Sequence, residues 1–120
     1  MGAINLSAFL EHDGKMLARR VWTASGVAAM RGLLGRDHLE PGEALYFPHA
    51  TFGALHSFGM RFAFDALYLD RRGVIRQVLR AVPPGRLCAW NLWTVSALEM
   101  QAGAADGVRP GDAVRFATSE

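Results

Sequence analysis

Three ionisable residues stand where a folded chain has to account for them: His56, Asp65 and Glu99. His56 is close in sequence to Phe52, Phe58, Phe62 and Phe64. A histidine pKa can be tuned near neutrality, so His56 reads as a general base or ligand-binding group. Its plainer reading is a partly buried ring hydrogen-bonded to backbone. Asp65 follows an apolar run and leads into Ala66–Leu69, and a carboxylate entering a hydrophobic strand needs a partner. That partner is a pocket shared with His56, a salt bridge to Arg61 or Arg36, or a set of backbone amides that it caps. Glu99 poses the same problem within Val95–Met100. If Val95 and Ala97 face the core, period-two alternation puts Glu99 on that face too. Arg36 is the first partner to name, for Glu99 or for Asp65.

Other side chains carry weaker signals. Met60 would line a pocket or simply fill the core. Trp90 and Trp93, with Arg86, would make a stacking surface for a sugar or another ring, or anchor loops. Cys88 has no activating neighbour in sequence and reads as a small buried hydrophobe. No metal site is expected, because zinc motifs need three or four ligands, commonly two at short spacing, and no such pair occurs. Gly32-Leu33-Leu34-Gly35-Arg36 lacks the Gly-Lys-Ser/Thr ending of a phosphate-binding loop, and there is no Gly-x-Ser-x-Gly elbow. No cofactor is implied.

The elements that must position these residues are mostly short strands. Leu17–Trp22, Ala44–Phe47, Ala54–Phe58, Ala66–Leu69, Val74–Leu79 and Trp93–Met100 have strand length and content, and Ala113–Phe116 closes the domain. Asp70-Arg71-Arg72-Gly73 is a turn with glycine where φ turns positive, so 66–79 reads as a hairpin. Arg109-Pro110-Gly111-Asp112 is another turn, and 102–107 has room for one helical turn. Val27, Met30, Leu33 and Leu34 recur at helical spacing after a capping Thr23 or Ser25, which predicts one short helix over 25–34. The expected fold is mainly β: a small single-domain sandwich or partly open barrel over 1–120 with that one helix.

Size and composition agree. The 120 residues are 51% hydrophobic, enough for a packed core without disulfides or a structural metal. A lone cysteine fixes no redox compartment. The start, with Glu11, His12 and Asp13 after a short apolar stretch, does not read as a signal peptide. No run approaches the roughly 18 apolar residues of a membrane span. The expected location is cytoplasmic, unless a leader has been removed. The net charge is +2, and the arginines scatter from Arg19 to Arg115 rather than forming a stripe, so no nucleic-acid partner is expected.

Four blocks, in order, resemble the DUF192 family, also called UPF0127, a bacterial and archaeal family without an established activity. They are Arg31-Gly32-Leu33-Leu34-Gly35-Arg36 with Leu39; His56-Ser57-Phe58-Gly59-Met60-Arg61-Phe62-Ala63-Phe64-Asp65 with Leu69-Asp70 and Gly73; Ala97 to Gly103; and Gly107 to Val114. The resemblance runs from about Val21 to Phe116. It implies a compact, mainly β sandwich-like or barrel-like fold and carries over no reaction. Gly59 stands where many relatives have tryptophan.

The leading functional expectation is a binding module. Arg36, His56, Arg61, Asp65 and Glu99 would rim a cleft floored by Met60 and aromatics, for a small polar ligand or a peptide. A second is a hydrolase-like enzyme using His56 with Asp65 or Glu99, although no clear nucleophile is present. A third is a structural or protein-interaction domain using a sheet edge or an apolar patch. The cleft requires its side chains to share one face of the fold. The oligomeric state has no signature in the sequence.

Overall fold

The structure is a computed structural model describing residues 5–23, 38–49, 62–85 and 92–119. Among these residues the chain is all strand and turn: β1 (Asn5–Leu10), β2 (Met16–Thr23), β3 (Glu43–Phe47), β4 (Phe64–Leu69), β5 (Ile75–Val82), β6 (Ser96–Gln101) and β7 (Val114–Ser119). The expected hairpin is present, with Gly73 at φ 79° closing its turn. Two differences from the sequence reading concern ends. β1 had no strand assigned, although Leu6, Ala8 and Leu10 alternate. β6 starts at Ser96, because Leu92 and Trp93 form a turn before it. The expected helix over 25–34 and the strand over 54–58 lie outside the described residues.

The strands form one sheet in the order β5-β4-β6-β3-β2-β1-β7. All neighbours are antiparallel except β2 and β3. The sheet curls until opposite corners meet. Val74, before β5, bridges Ala113, before β7. Around it Ile75 N–H donates to Asp112 O at 2.8 Å, and Val114 N–H donates to Gly73 O at 2.9 Å. The result is a half-closed barrel whose two edge strands protect each other at one corner.

Alternation along the strands makes two apolar clusters. Inside the curl lie Ala8, Leu10, Val21, Ala44, Leu67, Leu69, Ile75, Leu98, Met100 and Val114. On the outer face of the central strands lie Leu45, Phe47, Phe64, Ala66, Tyr68 and Ala97, with Leu39. All six β4 residues are therefore buried, and so are five of the six in β6. Near-continuous burial on both faces is the mark of a strand sandwiched by two layers.

Asp65 ties down one end of this barrel. Its carboxylate accepts three backbone N–H groups: Ala81 to Oδ1 at 2.8 Å, and Gly103 and Ala105 to Oδ2 at 3.0 Å each. The pairing of β4 with β5 slips at this point, so that Arg80 and Ala81 together oppose Asp65. This is a β-bulge, and it leaves Ala81 at φ 50°, a region a residue with a side chain seldom adopts. The bond to Asp65 holds that amide in place. The other two donors belong to the loop 102–112, which folds across the barrel end and buries Ala105 and Val108 inside. The Arg80 guanidinium donates to the carbonyls of Ala105 and Val108 from the other side.

Asp65→Asn keeps one acceptor oxygen and turns an NH2 group toward backbone donors. It is expected to lower stability by roughly 2–4 kcal/mol, seen as a lower urea midpoint with an unchanged slope. A loss below about 1 kcal/mol would mean that the three amides find other acceptors.

Candidate functional site

The register settles how the two buried acids relate. Across β4 and β6, Asp65 pairs with Met100 and Ala66 pairs with Glu99. Neighbours along a strand point to opposite faces. Asp65 therefore faces the barrel interior and Glu99 faces outward, into the second cluster. One cleft does not hold both carboxylates, which corrects the rim drawn from sequence. Asp65 takes the backbone-amide role, and its two oxygens are already occupied. Arg36, His56, Met60 and Arg61 lie outside the described residues, as do Arg86, Cys88 and Trp90.

Glu99 lies between Leu45 of β3 and Ala66 of β4, with Ala97 two residues before it on the same face. Val95, used in the sequence reading to infer that face, is exposed and precedes the strand. The alternation from Ala97 alone gives the same answer. Glu99 is only 2% exposed. Its Oε2 has no hydrogen-bond partner among the described residues. Burial without compensation disfavours the charged form and pushes the carboxyl from the usual 4.5 up to about 8. At neutral pH the group holds its proton. It is a buried O–H donor set in a wall of leucine, alanine and phenylalanine.

A polar edge borders this wall. Trp22 faces outward from β2 beside Leu45. Its indole N–H donates to Glu43 Oε2 at 2.6 Å, and the Glu43 Oε1 accepts the Glu40 amide at 3.2 Å. The Arg20 guanidinium lies over the Trp22 ring, 5.3 Å from its centre. Sequence reasoning missed this group. The available signal was Trp22 at a strand end, but the pairing with Glu43 depends on the parallel β2–β3 register. Among the described residues no group of three His, Cys, Asp or Glu side chains converges as a metal site would. No helix among them is long and apolar enough to cross a membrane.

Comparison with known proteins fits this picture. The model of the family DUF192, described as Uncharacterized ACR, matches residues 8–116. The chain belongs to the DUF192 family. The match takes in β2 to β6 whole, parts of β1 and β7, and both Asp65 and Glu99. No curated protein matches the chain. Among solved structures, the fold is similar to that of a putative transcription regulator from Sinorhizobium meliloti 1021. The TM-score is 0.73 at 20% identity, covering 94% of this chain and 92% of that one. It is also similar to a protein of unknown function from Novosphingobium aromaticivorans DSM 12444. There the TM-score is 0.73 at 19% identity, covering 93% and 84%. At these identities the likeness speaks for the fold.

The raised pKa of Glu99 makes stability depend on pH. Between about 4.5 and 8 the unfolded chain gives up a proton that the folded chain keeps. Its contribution to stability is complete below that window, falls through it, and levels off above it. Glu99→Gln cannot ionise and escapes the loss. Its stability relative to wild type is expected to rise by up to roughly 1.4 kcal/mol per pH unit across the window, read from denaturation midpoints at several pH values. A difference that stays flat with pH would place the carboxyl in the ordinary range.

Proposed function

We propose that this domain is a binding module whose site is the outer face around Glu99, and that its ligand is a small polar molecule or a peptide segment. The observation that carries the reading is the buried Glu99 carboxyl with an oxygen that meets no hydrogen-bond partner among the described residues. Such a group costs stability, and a fold retains that cost most readily where a ligand later supplies the partner. A protonated carboxyl in apolar surroundings offers an O–H to a ligand carbonyl, hydroxyl or ether oxygen. The Trp22–Glu43 pair gives the edge of that face fixed polar groups. Arg36, His56, Met60 and Arg61 join the site as candidates from the sequence pattern alone.

A second reading uses the same carboxyl. An acid held near 8 keeps its proton at neutral pH, which suits a general acid in a hydrolase-like reaction. Asp65 has no part in that version, since three backbone amides engage it on the other face.

A thermal-shift screen of metabolites, sugars and short peptides, run on wild type, Glu99→Gln and His56→Ala, tests the proposal. A ligand at about 100 times its Kd stabilises the folded state by roughly 2.7 kcal/mol. The expected result is a compound that raises the wild-type melting temperature by several degrees and the Glu99→Gln temperature far less. A hit that stabilises both proteins equally would move the site away from Glu99. Turnover of such a hit, lost in Glu99→Gln, would favour the enzyme.

A further inference from the structure

At the end of the sheet where β4 turns into β5, a hollow of about 410 Å³ is lined by Asp70, Arg71, Arg72, Arg76, Leu92, Trp93 and Val95. We propose that it is a second binding site, for a small organic anion that joins a phosphate or carboxylate to a flat apolar body. The proposal does not rest on the Glu99 reading.

Charge comes first. Three guanidinium groups line the hollow against one carboxylate. One oxygen of that carboxylate is engaged in the turn, where Asp70 Oδ1 accepts the amides of Arg72 at 2.8 Å and Val74 at 3.1 Å. Its Oδ2 lies 3.8 Å from Arg76 Nη1, a loose, partly exposed ion pair. Arg71 and Arg72 make no ion pair among the described residues. Guanidinium forks match phosphate and carboxylate oxygens in geometry as well as in charge.

The apolar half is equally distinct. Leu92 is 68% exposed and Trp93 62%, the two highest values among the large hydrophobic side chains described. Arg76 lies 5.5 Å from the Trp93 ring centre, a cation–π contact that holds a guanidinium plane beside an indole. A flat ring entering the hollow meets Leu92, Val95 and the free surface of that plane. Both walls are fixed by backbone. The Asp70 turn is closed by its own hydrogen bonds, and Val95 N–H donates to Leu69 O at 2.9 Å, pinning the 92–95 turn to the end of β4. The volume falls within the roughly 300–1,000 Å³ of small-ligand sites. A strand of nucleic acid would need a longer basic track with several stacking rings.

Titration of the intact chain with phenyl phosphate, benzoate and inorganic phosphate tests this, read by calorimetry at low salt. Saturable binding of phenyl phosphate or benzoate is expected, tighter than inorganic phosphate by about tenfold because the ring is buried as well. The Arg71→Gln/Arg72→Gln double variant is expected to weaken binding by about tenfold or more. Trp93→Leu should remove the preference for the aryl anion over inorganic phosphate. Arg115→Gln, which removes one charge from an exposed β7 position, should bind as wild type does. Failure of both aryl anions to saturate, or equal binding in the double variant, would overturn the proposal. So would a single-stranded oligonucleotide that binds far more tightly than phenyl phosphate and weakens in the same variants, since the surface would then be a nucleic-acid one.

Discussion

Three parts of the chain meet at the Asp65 carboxylate: the β4 strand that carries it, the bulge in β5 and the loop after β6. None of the three donors is satisfied by a ladder. The bulge leaves the Ala81 amide out of register, and the loop amides of Gly103 and Ala105 point at a buried strand. One carboxyl side chain with two acceptor oxygens answers all of them. With the loop held across its end, the barrel interior stays closed by Ala105 and Val108. β4 can then be buried on both faces without exposing the core at its margin.

Burial on both faces creates a contrast between two acids. One register pair away from Asp65, on the opposite side of β4 and β6, the fold buries a second acid. Among the described residues, no bulge or loop supplies donors here. Desolvation then dominates, and Glu99 keeps its proton to about pH 8. The two carboxyl groups have similar burial, 1% and 2% exposed, and opposite circumstances. The difference is the number of backbone amides within reach. A satisfied acid supports structure; in the proposed reading, one lacking a partner among the described residues is completed by a ligand or a reacting group.

Much of this was legible in the sequence, and the failures have physical causes. Strand-like length and content between turn residues showed β2 to β6, and the chemistry of a tight turn showed the one at Gly73. Asp65 and Glu99 stood out as acids in apolar strands, and alternation put Glu99 with Ala97. Backbone amides were among the partners named for Asp65, beside Arg36 and Arg61. They could not be chosen from sequence, because the donors lie 16, 38 and 40 residues away and exist only after the bulge and loop have formed. The shared cleft failed for a related reason, since which face a residue occupies relative to a distant strand is a matter of register. β1 escaped notice because six residues with modest alternation resemble a tail until β2 and β7 flank them. The sequence offers Trp93, with Trp90 and Arg86, as a stacking surface for a ring or as a loop anchor, and Trp90 and Arg86 lie outside the described residues. The described ring contact is with Arg76, brought near by the hairpin.

Glu99 keeps its proton because its burial goes uncompensated among the described residues, whereas three backbone amides meet Asp65 one register pair away. The decisive measurement follows the side-chain carboxyl carbon of Glu99 by 13C NMR, assigned with Glu99→Gln, as pH is varied. A single titration centred near 8 is expected, with the group still largely protonated at neutral pH. A midpoint in the ordinary carboxylate range, near 4.5, would contradict it and would mean that Glu99 is solvated or paired as an ion.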